Sequence, residues 1–437
     1  MRHLGLRHCL AGCAMIFAAS SHATNYEINS IEDAMVTVVS QGSGANTSWQ
    51  VTTSRADGFC SLREALVASN YQIAVDGCAA GSASDVIKLA EGQTYVLTEG
   101  ELVVGDGQKI VFTTDDTVSP PTTSATIEPL ANQVRFELQL DAFEEAADKT
   151  LPIITSEHNS RLFNIDDGGA MTVTNLELRD GDASGAGGNG NGGLVIAMGP
   201  LIIGENVILS GGQAVNGGVL YLQEGSGVAF RNGGRFENNT ATGVGSVIAS
   251  DDTFDGSVIG YSFYMANNTA GAAADAAAIH LDGKPDGRIG LELANGTIVD
   301  NDGGVINVVT NRFNSVLANM TIAFNNGVAL TLAETTFDDP ADAEPTDHVL
   351  HTVMVGNNGG ACAGAGLDGS GDPNAAARFL YTITDDAGCP TPEEQVSGTP
   401  VTNNPNTAAS DVFLGKDRQQ CDGEGAGACE PMPADEL

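Results

Sequence analysis

The sequence predicts an all-β chain wound into a parallel β-helix, and two repeated phrases with one compositional absence carry that prediction. Asn-Asn-Thr-Ala at 238–241 returns at 267–270 and is echoed by Asn301-Asp302-Gly303, Asn325-Asn326-Gly327 and Asn357-Asn358-Gly359. These phrases start 29, 34, 24 and 32 residues apart, inside the window of roughly 20–50 residues that marks solenoids and propellers. A second phrase of small residues followed by an apolar run keeps nearly the same interval, as in Gly192-Gly193-Leu194-Val195-Ile196, Gly217-Gly218-Val219-Leu220-Tyr221-Leu222, Gly245-Ser246-Val247-Ile248 and Gly303-Gly304-Val305-Ile306. Helical patterns of ten or more residues are scarce beyond residue 75, which argues against βαβ units and helical solenoids.

Each repeat holds several short strands. Met171-Thr172-Val173-Thr174-Asn175-Leu176-Glu177-Leu178 and Leu201-Ile202-Ile203-Gly204-Glu205-Asn206-Val207-Ile208-Leu209 combine β-branched residues, partial alternation and Gly or Asn punctuation. A propeller blade must close a ring with near-constant geometry, whereas one coil of a β-helix can extend a turn into a long loop without disturbing its neighbours, so irregular spacing favours the β-helix. In such a coil each repeated Asn lies above its counterpart. Asn239, Asn268, Asn301, Asn325 and Asn358 are therefore expected to hydrogen-bond along the stack as a structural ladder.

The N-terminal end carries the most specific local signal. Ser61-Leu62-Arg63-Glu64 fits a capping box, with Ser61 and Glu64 each satisfying the other's backbone amide, and predicts a helix over about 61–70. Leu62, Ala65, Leu66 and Ser69 form one narrow apolar face suited to lying across the mouth of the first coil. Trp49–Thr53, Val86–Leu89 and Tyr95–Leu97 read as flanking strands. The organisation expected is a leader over 1–23, an N-terminal cap over 24–98, coils over 99–360, and a C-terminal cap with an acidic tail over 361–437.

Composition supplies the compartment. The chain has 437 residues, 56 acidic against 18 basic, 55 glycines, and only 5% aromatic content. Residues 1–23 combine a basic start (Arg2, Arg7), an apolar stretch from Leu10 to Ala19 and a small-residue exit at Ser21-His22-Ala23, which reads as a secretory signal peptide cut before Thr24. Leu10-Ala11-Gly12-Cys13 imitates a lipobox, but the apolar stretch follows that cysteine when it should precede it. Removing the leader deepens the net charge of −38 by two, since it carries two basic residues and no acidic one. Nucleic acid and anionic membrane surfaces are poor partners for such a field, and no later stretch reaches the apolar length of a transmembrane helix.

Six cysteines follow the leader, at 60, 78, 362, 389, 421 and 429, an even number in an exported chain. All lie outside the repeat array, at the ends that no neighbouring coil protects. Local pairing predicts Cys60–Cys78, Cys362–Cys389 and Cys421–Cys429. Structural zinc is the weaker alternative, because these spacings do not resemble its short ligand knuckles.

Val51-Thr52-Thr53, Asp57-Gly58-Phe59-Cys60-Ser61-Leu62-Arg63-Glu64-Ala65-Leu66, Asn70, Cys78-Ala79-Ala80-Gly81 and Ile87-Lys88-Leu89 together resemble the CSLREA domain, which opens many exported bacterial right-handed parallel β-helix proteins. The resemblance covers about residues 49–98. Gly217-Gly218-Val219-Leu220 followed by Phe236-Glu237-Asn238-Asn239 is similar to the repeats of polymorphic outer membrane proteins. The region from Gly356 through Cys362, Cys389 and Cys421 resembles the cap that precedes a sorting tail, although no hydrophobic, basic tail follows Cys429. The resemblance implies a right-handed, pectin-lyase-like solenoid exported by a bacterium, either secreted or loosely held at the outer membrane surface. It brings no shared reaction or catalytic residue.

Three readings of function follow. The first is a non-enzymatic, monomeric surface or secreted protein, an adhesin or matrix component, whose partner is a cell-surface or extracellular glycan or protein. It needs no cofactor, though Asp180, Asp182, Asp251, Asp252 and Asp255 form acidic turns that could bind Ca²⁺ without the ordered spacing of an EF-hand. The second is a polysaccharide lyase or glycosidase, for which one coil mixes the ingredients: His280, Asp282, Lys284, Asp286 and Arg288. Asp-Gly-Lys-Pro-Asp-Gly in that coil is equally a charge-compensated turn. The third is a passenger tethered through an outer-membrane partner. Loops 180–193 and 333–349 are the long excursions expected to carry contacts. No phosphate loop, nucleophile elbow, His-Glu-x-x-His motif or basic aromatic strip occurs, which leaves nucleotide, acyl-transfer, metalloprotease and nucleic-acid roles without support.

Overall fold

The computed structural model describes residues 23–42, 48–105, 108–115, 122–129, 132–139, 149–157, 159–185, 190–273, 275–284, 289–309, 313–332, 348–364, 378–380, 382–384, 389, 419–420 and 430–431. Within them the chain coils through three long parallel sheets of 11, 10 and 9 strands. One coil illustrates the path: Gly169–Thr174 in the first sheet, Leu176–Arg179 in the second and Val195–Ala197 in the third, after which Pro200–Ile203 returns to the first. Every rung pairs in parallel with the rung one coil away, for example Met171 with Leu201 and Leu178 with Leu209.

Corners are made by single left-handed residues. Asn175, Asn206, Asn232, Ser262, Asn295, Asn319 and His351 turn the chain from the first sheet to the second with φ between 48° and 55°. Asn dominates because its short amide tolerates that region. A second series, Asp180, Gly211, Asn238, Asn267, Asp300, Phe324 and Gly356, closes the second sheet in the same conformation. Alternate residues of each strand enter one continuous core containing Phe136, Phe163, Phe230, Phe236 and Phe263. Phe230 packs edge-on against Phe236 and Phe263, with centroids 5.2 and 5.0 Å away.

The residue after each of the last five members of the second corner series is an inward-pointing Asn, and there the ladder forms. Asn239 Nδ2 donates to Asn268 Oδ1 (2.9 Å), Asn268 to Asn301 (2.8 Å), Asn301 to Asn325 (2.9 Å) and Asn325 to Asn357 (2.9 Å). Each Oδ1 also accepts the backbone amide of the rung before it. The last rung is Asn357, and the expected Asn358 is displaced. Gly356 takes the left-handed corner that Asn238 and Asn267 occupy in their phrases, so the inward position falls one residue earlier. Asn358 stands outside, donating to Asn326 Oδ1 at 2.9 Å, and Asn326 donates to Asp302 at 2.8 Å.

The ends depart from uniform coiling. The helix Leu62–Tyr71 starts at Ser61 with both capping-box hydrogen bonds in place and buries Leu62, Ala65, Leu66 and Ala68 in the main core. Asn70 holds it to the edge strand Leu102–Val104 by donating to Val103 O (2.7 Å) and accepting from Gly105 N (3.2 Å). Cys60–Cys78 and Cys362–Cys389 are disulfides, while Cys421 and Cys429 lie outside the described residues. The sheets pass both expected boundaries of the coil region. Ser84–Leu89 and Thr94–Leu97 already belong to the first and second sheets, and Cys362–Ala363, Arg378–Leu380 and Ile383–Thr384 continue all three. Two antiparallel hairpins, Val36–Gln41 with Ser48–Thr53 and Gln108–Asp115 with Thr122–Pro129, are additions that the repeat pattern does not announce. Among the described residues no helix is long and apolar enough to cross a membrane.

Candidate functional site

The outward face of the third sheet carries a row of side chains that is covered at its middle and opens at its two ends. Its strands register Asn164, Ile196, Tyr221, Ala249, His280, Asn307 and Thr331 one above another. Period-2 alternation sends the flanking residues, such as Val195 and Ala197 or Leu220 and Leu222, into the core. Ile196, Tyr221 and Ala249 form an apolar cluster of their own, joined by Val244. An outward row on a solenoid would ordinarily be open to solvent, yet Tyr221 is only 8% exposed and His280 6%. At about 4.8 Å per coil the row from Asn164 to Thr331 runs about 29 Å.

Two walls give the shelter. One is built by the excursions that follow the second sheet, where Gln213–Ala214 pairs with Thr240–Ala241 and Thr269 bridges to Thr240 and Asp302. Asn216 braces it by donating to Asn191 Oδ1 and accepting from Val244 N. The other wall is the set of turns after the third sheet, which carry Glu224, Asp251, Asp252 and Asp282. Asp251 anchors its own turn by accepting from the Thr253 amide (3.0 Å) and hydroxyl. Each end of the row widens into a cavity. One of about 410 Å³ is lined by Asp275, Asp302, Asn307, Asn326 and Thr331. The other, of about 640 Å³, is lined by Glu99, Glu101, Arg161, Asn164, Ile196 and Gln223.

Carboxylates dominate the electrostatics. Burial, then Asp251, Asp252 and Asp282, pushes the Tyr221 hydroxyl up to about 12. Lys284 lies 2.8 Å from Glu224 and holds that carboxylate below its usual range through the shared hydrogen bond. Arg161, 3.1 Å from Glu101, has its pKa lowered by burial against the opposing pull of that carboxylate. Among the described residues the row is therefore flanked by a negative field, with Arg161 and Lys284 each in an ion pair.

Family models, curated protein sequences and solved structures were all compared with the chain, and none matches.

The residues singled out from the sequence take separate places here. His280 sits in the row, with Nδ1 3.2 Å from the Asp275 carbonyl and 3.4 Å from the Asn307 amide nitrogen. Burial lowers its pKa, and the Asp275 hydrogen bond opposes the shift. Asp282 closes its strand end through backbone exchange with the Ser250 hydroxyl, and Lys284 belongs to the rim. Asp286 and Arg288 lie outside the described residues, as do 333–347 of the second long loop. Of the acidic turns, Asp180 approaches Arg179 at 3.4 Å, Asp182 accepts from Ser184 N at 2.8 Å and Asp255 accepts from Gly225 N at 3.3 Å. Among the described residues no three His, Cys, Asp or Glu side chains converge on one point. Arg161, Ile196, Tyr221 and Asn307 escaped the sequence reading. For Ile196, Tyr221 and Asn307 the available signal was the third residue after each Gly-Gly pair, which alternation sends outward.

Proposed function

We propose that this chain is an exported, non-enzymatic β-helix protein that holds an extended, uncharged glycan along the outward face of its third sheet. The observation that carries the reading is the pair of cavities at the two ends of the row from Asn164 to Thr331, joined by an apolar stretch at Ile196, Tyr221 and Ala249 and lined by the amides of Asn164 and Asn307. Sugars offer that pairing of C–H faces with hydroxyls. The excess of carboxylates on the rim disfavours polyuronates and other anionic polymers. Right-handed, pectin-lyase-like winding belongs to the same proposal, in line with the strong preference of parallel crossovers for that hand and with the CSLREA-like opening. Export is supported by the leader-like segment at 1–23 and by the two disulfides.

A binding role without catalysis is supported by how the reactive groups are engaged. A lyase needs a free base beside a cation, yet His280 is buried against Asp275 and Lys284 is paired with Glu224. Affinity electrophoresis of the chain from Thr24 onward, through gels containing neutral or acidic polysaccharides, tests the proposal. Retardation by at least one neutral polymer, lost in Tyr221→Ala and accompanied by no new reducing ends or unsaturated products, is the expected result. Release of cleavage products, or free migration through every gel, would overturn it.

A further inference from the structure

We propose that the cavity between the N-terminal cap and the third sheet is the terminal subsite of the groove, taking one neutral, polyhydroxylated end unit of a glycan chain. This deepens the glycan-binding reading and rests on it. The cavity of about 640 Å³ falls in the range of small-ligand sites, about 300–1,000 Å³. It shares Asn164 and Ile196 with the groove row, so a chain lying on that row ends here.

The lining specifies the chemistry. Arg161 is buried, its side chain 7% exposed, and its guanidinium donates to Glu101, whose own side chain is 34% exposed. A guanidinium beside a carboxylate offers donors and acceptors to neighbouring hydroxyls, and the amides of Asn164 and Gln223 offer both kinds in one group. Ile196 adds an apolar contact for a sugar face. Glu99 and Glu101 against Arg161 leave one carboxylate in excess, which disfavours a phosphate or a uronate.

The cap holds this lining in place. Arg63, on the capping helix, donates to the Gly100 carbonyl (2.7 Å) and the Glu101 carbonyl (3.0 Å). Its guanidinium also pairs with Asp33 at 2.7 and 2.9 Å. Asp33 in turn accepts the amides of Thr98 (2.8 Å) and Glu99 (2.9 Å). The backbone from 98 to 101 is thus fixed from both sides, which sets Glu101 beside Arg161. Arg63 acts as a positioning residue, since its hydrogen bonds go to the loop backbone.

The test is calorimetric titration of the chain from Thr24 onward with cellohexaose, xylohexaose, mannohexaose and hexagalacturonate. At least one neutral hexamer is expected to bind, and to bind more tightly than the galacturonate. Glu101→Gln and Asn164→Ala should each weaken that binding about tenfold, the loss expected from one polar contact to a charged group or an amide. Arg63→Lys keeps the charge but cannot hold both carbonyls as a fork. It should weaken binding as well, and adding it to Glu101→Gln should cost no more than Glu101→Gln alone, a coupling that general destabilisation would not produce. Wild-type affinity in Glu101→Gln and Asn164→Ala, with binding lost in Tyr221→Ala, would overturn the subsite and leave the groove standing. Absence of binding by every neutral hexamer would overturn both, and preference for hexagalacturonate would overturn the charge argument.

Discussion

Replacing Asn268 with alanine removes the centre of the ladder, and the structure sets the size of the loss. Asn268 is fully buried; its Oδ1 accepts from Asn239 N (3.0 Å) and Nδ2 (2.9 Å), and its Nδ2 donates to Phe236 O (3.0 Å) and Asn301 Oδ1 (2.8 Å). Truncation leaves the buried Asn239 amide without its acceptor, at about 1–3 kcal/mol, and removes further donors from the Phe236 carbonyl and the Asn301 amide oxygen. With the small void included, about 3–5 kcal/mol is expected. Asn358→Ala is the matched control, because its rung is exposed and its loss should stay within about 0.5 kcal/mol. Solenoids open coil by coil, so amide hydrogen exchange around 236–241 and 265–270 is the assay, backed by urea denaturation with the disulfides intact. Equal protection and equal midpoints in Asn268→Ala and Asn358→Ala would refute the argument that burial, and not the Asn-Asn-Gly phrase itself, gives the ladder its weight.

Other perturbations probe other parts of the fold. A side chain at Gly260 would place its Cβ 2.0 Å from Phe230 Cε2, so Gly260→Val should destabilise by about 2 kcal/mol or more by overpacking, measured as a lowered thermal midpoint. Cys60→Ser with Cys78→Ser opens a loop of sequence separation 18 and should cost about 3 kcal/mol, appearing first as faster exchange in the helix Leu62–Tyr71. The His280 pKa lies below the ordinary 6.5 because the ring is buried, so between that value and its depressed folded value the unfolded state binds more protons. Its contribution is therefore complete above about pH 6.5 and is lost as the pH falls. His280→Asn should flatten the decline in thermal midpoint between about pH 7 and pH 5 relative to wild type, and an unchanged slope would remove the burial argument.

Much of the architecture was legible because a β-helix writes its period into the chain. The Gly-Gly-apolar phrases mark the third sheet, and Met171–Leu178 and Leu201–Leu209 mark the strands of the first and second. The slip from Asn358 to Asn357 shows where pattern reading stops. Phase is set by which residue takes the left-handed corner, and that residue changes identity along the stack, from Asn238 to Asp300 to Phe324 to Gly356. Phe324 would not be nominated for a positive φ from sequence, since a bulky side chain rarely adopts one. The groove was harder to see for a different reason. His280 enters the sequence reading as a catalytic candidate and Tyr221 only as part of an apolar phrase; the walls around them combine residues of their own coil, such as Asp275, with residues of the next, such as Val244 and Asp251, and no local pattern announces that combination. Arg63 was read as part of a helix start, whereas its hydrogen bonds reach Gly100 and Glu101.

The ladder also makes the length of this protein an adjustable quantity. Asn239 meets Leu209 O and Gly212 N on one side and Asn268 on the other, and Asn268 in its turn meets Phe236 O and Asn301. A whole coil can be excised or duplicated between such rungs, and the new neighbours find the donors and acceptors the old ones had. The gene can thus lengthen or shorten the track by increments of about 4.8 Å, like a ruler cut at any division, without inventing a new interface. A change of length needs only copy number there, because the chemistry that joins one coil to the next is the same at each seam from Asn239 to Asn357.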